Sequence, residues 1–262
     1  MNFSTIATIW KREVKGYFYT PLAYVFVGIF SLLMGIMFLQ FLAAYRQYTM
    51  SSMMGMGQQI SIDKLVEAFF GNMHVILMFI LPFFTMRLFT EESRQNTLAL
   101  LMTSPVTTLE LTLAKIFAGA TMLLVNLAVT LVFPVFLVIF SWNTPDARPD
   151  LGIVALTYGG LFLCGLVYIG FGAFWSSLTE SQLVAVVMAF ATNFGFWLVS
   201  LSGQGASTGS FQEVLKHLAI NEHFQGFTRG IPELKGLVYF VSLIFFGIFL
   251  THRSLESRTW RA

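Results

Sequence analysis

Charge is what this 262-residue chain has least of: 15 Lys and Arg and 13 Asp and Glu, or 11% of its residues. Soluble domains carry roughly 25%. With a mean hydropathy of +0.74, the chain lacks the polar residues needed to cover a water-facing surface. That excludes a soluble enzyme and a disordered chain. A net charge of +2 excludes a basic nucleic-acid binder, so no nucleic-acid partner is expected. The single cysteine, Cys164, excludes an intrachain disulfide framework. It lies in an apolar run and reads as a small buried hydrophobe. No Gly-Lys dipeptide occurs, so no phosphate-cradling P-loop exists. No Cys, His and Asp cluster has metal-ligand spacing.

Carboxylates are also missing from the apolar stretches. The polar residues there are Gln40, Asn72, His74, Asn126 and Asn193. Ion-coupled pumps normally place ionisable relays in the membrane. A lone His74 reads as a hydrogen-bonded packing residue, and Asn72 and His74, two apart, do not share a helical face.

What is present is a set of six charge-free runs: Gly16–Tyr45, Ala68–Met86, Ile116–Pro145, Leu151–Thr179, Ser181–Gln212 and Gly236–His252. Crossing a bilayer core takes ~20 apolar residues as a helix. The runs predict an all-α polytopic membrane protein with spans at 21–44, 66–86, 113–140, 151–174, 182–202 and 235–251. A barrel would need strands that alternate apolar and polar, and Val75–Phe84 and Leu234–Leu250 do not alternate.

Six spans put both termini on one side. That side carries Lys11, Arg12, Lys15, Arg87, Arg94, Lys115, Arg253, Arg258 and Arg261, against Arg46, Lys64, Arg148, Lys216, Arg229 and Lys235 on the other. The positive-inside rule places both termini in the cytoplasm.

The first residues do not have a signal peptide's short basic region and apolar core. Phe3, Ile6, Ala7, Trp10, Val14, Tyr17 and Phe18 recur at helical spacing, with Lys11, Arg12 and Lys15 mostly elsewhere. Residues 1–19 therefore read as an interfacial elbow helix, aromatic stripe down, either an anchor alone or an elbow that also touches a partner. Thr20-Pro21 then caps and restarts the chain as the first span. Residues 20–252 form the six-helix domain and 253–262 a cytoplasmic tail.

The stretch 87–115, RLFTEESRQNTLALLMTSPVTTLELTLAK, is too apolar for a cytoplasmic connection. Thr97 can cap a short helix carrying Leu98, Leu100, Leu101 and Met102, and Ser104-Pro105 ends it. One or two turns of such helix have no stability of their own. Burying each side chain is worth roughly 1.5–3 kcal/mol, so a cover is expected: the chain's own helix ends, the membrane face, or a socket in a partner. Glu91 and Glu92 would give that socket rim charge. The turn at 175–182, with Leu178, Thr179 and Glu180, offers a second contact or a plain hairpin, and Thr179 or Ser181 caps the fifth span. Glycines 159, 160, 165, 170 and 172 permit close helix contact, as at a seam between subunits, or simply face lipid. In 203–233, Gly203–Ser210 reads as linker and Phe211–Ile220 as an amphipathic face. His223, Phe224, Phe227 and Arg229 follow, giving an outer surface helix or a short re-entrant pair.

Several of these stretches are similar to one family. They are Lys11-Arg12-Glu13 with Tyr19-Thr20-Pro21, and Phe89-Thr90-Glu91-Glu92. Thr97-Leu98-Ala99-Leu100-Leu101 runs on through Ser104-Pro105 to Lys115. Leu178-Thr179-Glu180 comes with Gln182 and Ala185, and His223-Phe224 with Phe227, Arg229-Gly230-Ile231 and Tyr239. Over nearly its whole length the chain resembles the permease subunits of type 2 ATP-binding-cassette transporters. It is most similar to the gliding-motility-associated permeases and their relatives in nitrous-oxide-reductase maturation. Asn96 stands where the family more often has Gly, and Asn also tolerates left-handed backbone.

The resemblance implies a non-catalytic permease of a bacterial inner membrane. ATP and Mg would bind in a separate ATPase subunit, with no cofactor in this chain. Glu91, Glu92 and Thr97–Met102 would form the coupling helix. The partners implied are that ATPase, a second copy of the permease and a membrane-anchored protein with a large periplasmic part. Two other classes are weighed against it: an intramembrane enzyme using His74, Asn72 or His223, which the scarcity of polar residues disfavours, and a secondary transporter, which would show inverted repeats.

Overall fold

The computed structural model describes residues 2–54, 62–95, 97, 106–141, 149–202 and 217–259, and among them there is no strand. The protein is all-α, and six helical stretches are long and apolar enough to cross a membrane.

Helix α1 (Phe3–Tyr19) starts where Asn2 Oδ1 accepts the Ser4 N–H at 3.2 Å. It stops at extended Thr20, whose hydroxyl donates to the Tyr17 carbonyl at 2.9 Å. Pro21 then opens α2 (Pro21–Met53), the position that loses nothing by lacking an N–H. Helix α2 runs past the expected end at 44, because hydropathy marks where lipid ends, not where a helix must.

Helix α3 (Ile62–Thr85) is followed after Met86 by α4 (Arg87–Arg94). Thr107 and Glu110 form a reciprocal capping box at the start of α5 (Thr108–Thr130), which satisfies two orphan donors. The expected span at 113–140 is two helices, α5 and α6 (Val132–Phe140), with Leu131 between them. Pro134 accounts for the break: its ring meets the carbonyl four residues back, that of Thr130, and offers it no N–H.

Helix α7 (Leu151–Leu178) is capped by Asp150, whose Oδ1 accepts the Gly152 N–H at 2.7 Å. It is the central helix, touching α3, α4 and α5 as well as α8 (Gln182–Ser202), α9 (Ile220–Thr228) and α10 (Leu234–Thr259). Its glycines make that possible. A methyl on Gly172 would fall 2.1 Å from Thr85 Oγ1, one on Gly165 2.4 Å from Leu123, and one on Gly160 2.9 Å from Phe227. Gly170 meets Gly247 of α10 backbone to backbone. These four glycines therefore serve packing within one chain rather than a seam between subunits, while Gly159 has nothing nearby.

The core runs through Phe30, Met34, Phe70, Met73, Leu77, Cys164, Tyr168 and Phe240. His74 lies inside it as a packing residue, Nε2 2.8 Å from Tyr168 Oη and its ring stacked on Phe224 at 4.9 Å. Large apolar side chains on α2, α6, α8 and α10 face outward, as lipid contact requires. Helix α10 continues to Thr259, so the expected tail is helical over Arg253–Arg258.

Candidate functional site

At the end of the bundle that carries both termini, five elements converge: α1, α4, the start of α5 and the ends of α7 and α10. Helix α4 is tied down by side chains from all four of the others, through three kinds of tie. Ser176 of α7 donates to the Met86 carbonyl at 2.9 Å and accepts the N–H groups of Phe89 at 2.9 Å and Thr90 at 3.2 Å. A hydroxyl thus sits inside the backbone ladder, a recognised cause of helix breaks, and this is what separates α4 from α3. Arg258 of α10 donates to Ser93 Oγ. Ser177 of α7 meets Ser254 of α10 at 2.8 Å, and Thr108 of α5 meets His252 of α10 at 3.1 Å.

The third tie is ionic. Lys115, 2% exposed, lies 3.0 Å from Glu92 Oε1 and 3.5 Å from Glu13 Oε1. Arg12 closes the square at 3.0 Å from Glu13 Oε1 and 3.5 Å from Glu92 Oε1. Two cations and two carboxylates cancel, which a buried charge needs. Phe89 lies 5.2 Å beneath Lys115 Nζ, a cation–π geometry. Burial, and then the nearby Glu13, holds the Tyr17 phenol above its usual range, so it stays neutral.

The expected site residues divide. Glu91 is exposed, but Glu92 faces inward in the ion square instead of standing on a rim. Thr97 donates to the Glu92 carbonyl at 3.3 Å, at the end of α4. Leu98, Leu100, Leu101 and Met102, with Asn96 and Ser104-Pro105, lie outside the described residues.

On α1, the aromatic stripe does not stay together. Trp10 donates to Thr121 Oγ1 of α5 at 2.9 Å, and Ile6, Ile9 and Tyr17 share its inward face. Phe3 and Phe18 are exposed, as are Lys11, Arg12 and Lys15. The protein claims the face that amphipathicity alone assigned to lipid. Leu178 and Glu180 are exposed, and Thr179 accepts the Ser181 N–H at 3.1 Å. Ser181 Oγ accepts the Val184 N–H at 3.5 Å, capping α8.

At the opposite end, α9 is drawn into the bundle. Phe224 reaches His74, Phe227 presses on Gly160, and His223 stacks on Tyr239 at 4.2 Å. Arg229 bonds Glu67 at 3.1 Å. Gly230, at φ 74°, turns the chain where a side chain would meet Ile153. Helix α9 is one helix packed on α7, α8 and α10, and the other member of the expected re-entrant pair would fall outside the described residues. Residues 203–216, with the linker and most of the expected Phe211–Ile220 face, lie outside the described residues. Asn72 is exposed and His74 buried, so they converge on no common point. No group of three His, Cys, Asp or Glu that could hold a metal occurs among the described residues.

Ser254 and Arg258 lie outside every stretch that the sequence marks as a contact, whereas Ser176 falls in the 175–182 turn. Small hydroxyl residues at the end of an apolar span read as a turn, and the only signal was the Ser176-Ser177 pair itself.

The family model for the ABC-2 family transporter protein matches residues 7–250. The chain belongs to the ABC-2 transporter family. It is a membrane-spanning permease subunit of an ABC transporter. No curated protein matches the chain. The ABC-2 match takes in the whole ion square, Ser176 and α9, and stops short of Ser254 and Arg258.

Proposed function

We propose that this permease is driven by a separate ATP-hydrolysing subunit that docks where α4 and residues 97–102 lie, and that it exports or otherwise moves a substrate across the membrane. The observation that supports this best is the way α4 is held. Its first turn is bonded by Ser176 of the central helix, and its last turn by Lys115, Arg12 and Arg258. A pull on α4 therefore reaches α7, α5, α1 and α10 at once, through short polar contacts in a buried setting where they are strong. ATP and Mg bind in the partner, whose closure draws on the docked segment and shifts the bundle between two arrangements. Leu178, Thr179 and Glu180 form a second contact.

The resemblance to gliding-motility-associated permeases supports two permeases and two ATPases, with a membrane-anchored protein bearing a large periplasmic part as a further partner. The excess of Lys and Arg at the terminal end supports a cytoplasmic placement of that end in a bacterial inner membrane, with α1 in the headgroup plane.

The test is co-expression of the tagged permease with candidate ATP-binding-cassette ATPases from the same genome, taking one that co-purifies with the unaltered chain. Leu100→Asp together with Leu101→Asp is expected to abolish co-purification. Unchanged recovery of the ATPase overturns the docking assignment.

A further inference from the structure

Between α1, the start of α2 and the α3–α4 junction lies a cavity of about 320 Å³ lined by Arg12, Glu13, Tyr17, Phe84, Arg87 and Glu91, among others. The first two belong to the ion square and already have partners. Arg87 and Glu91 do not: no salt bridge joins either to another group among the described residues, and Arg87 Nε is buried with no hydrogen-bond partner. A buried donor left unmade is costly. One unspent cation and one unspent anion thus stand one turn apart on α4, facing one cavity.

The cavity's depth is informative. Ala23 and Phe84, in the apolar spans α2 and α3, line it together with the charged residues of α1 and α4. Apolar span residues and charged residues thus meet in one cavity, the mixture a lipid headgroup region presents. Its four charged residues sum to zero, which suits a zwitterion better than an anion. Tyr17 and Phe84 lie against each other at 4.9 Å, forming an apolar wall rather than a cage around a quaternary amine.

We propose that this cavity holds the headgroup of a zwitterionic phospholipid with a primary amine, its phosphate on Arg87 and its ammonium on Glu91. The guanidinium suits the phosphate. The Glu91 carboxylate accepts N–H bonds that a trimethylated amine cannot give. A soluble phosphoethanolamine ester shares this chemistry. The acyl chains distinguish the lipid, since Tyr24 and Val25, beside Ala23 on α2, are exposed to the bilayer.

The test uses the purified full-length permease without its ATPase, so that it is independent of the docking reading. Native mass spectrometry is run after exchange into micelles with equal palmitoyl-oleoyl phosphatidylethanolamine, phosphatidylcholine and phosphatidylglycerol. The expected result is one retained phosphatidylethanolamine per chain. Arg87→Gln and Glu91→Gln should each weaken retention about tenfold, the scale of one charge-assisted hydrogen bond. Gly16→Phe supplies an independent variant. Gly16 lines the cavity and a Cβ there meets nothing within 4 Å, so a bulky ring is introduced at the cavity wall with every charge intact and should lower retention at least as much. Glycerophosphoethanolamine should compete only in large excess. Competition at equal concentration would assign the site to a soluble ester. Equal retention of all three lipids, or retention unchanged in monodisperse Gly16→Phe protein, overturns the proposal. Lost lipid selectivity with intact ATPase co-purification would separate its fate from that of the docking site.

Discussion

Ser176 Oγ lies 2.9 Å from the Phe89 N–H it accepts and 2.9 Å from the Met86 carbonyl to which it donates. One hydroxyl thus replaces a rung of backbone hydrogen bonding and fastens α4 to the central helix. Ser176→Ala removes an acceptor shared by two buried N–H groups. The expected loss is about 1–3 kcal/mol, measured by thermal unfolding in detergent. Unchanged stability would mean that the Thr90 N–H recloses on Met86 and the break heals without cost.

Lys115 is the charge most enclosed in the square. Lys115→Met leaves Glu92 and Glu13 sharing only Arg12, which is 56% exposed. Removing one partner of a buried pair costs about 3–5 kcal/mol. Adding Glu92→Gln to Lys115→Met should recover much of that loss, and a double-mutant cycle on unfolding midpoints reads the coupling. The half-open pair Arg229–Glu67 at the other end serves as the comparison. Arg229→Ala should cost less than about 1 kcal/mol.

Two glycines of α7 make opposite predictions from the same substitution. Gly172→Ala drives a methyl into Thr85 and should destabilise by about 1–3 kcal/mol. Gly159→Ala meets nothing and should be neutral or stabilising by about 0.5–1 kcal/mol, the intrinsic helix preference. Both are read from thermal midpoints of the purified protein.

The six spans were legible because lipid leaves a simple trace, long runs without charge. The breaks were less so. Pro134 announces one, but the break at Met86 depends on Ser176, far away in the chain, and no local pattern contains it. The helical period of α1 marked its apolar positions without saying whether lipid or α5 covers them, and it passed over Ile9. The glycines of α7 were visible as small residues, but their partners Thr85, Leu123, Phe227 and Gly247 were not. Glu92 looked like a surface charge because Lys115 lies on another helix. Single-sequence reading finds periodicities and caps, whereas the ion square is a product of tertiary approach.

Phe224 joins α9 to the middle of the bundle through His74. Phe224→Ala empties a fully buried site and should cost about 3–5 kcal/mol. Amide hydrogen exchange should show residues 220–228 losing protection before the rest. Retained protection there would show that α9 is anchored by Phe227 and Arg229 instead.

Where Gly170 faces Gly247, the central helix and the last one meet backbone to backbone. Interlocked helices must unseat a row of knobs before one can move along the other. Here that row is interrupted for one residue on each helix, with the Phe171 and Phe246 rings packed beside the gap and Ser177 and Ser254 joined beyond it. The spacing of the two helices is therefore set by backbone at that point, and a residue larger than glycine at position 247 would hold the last helix further from the central one.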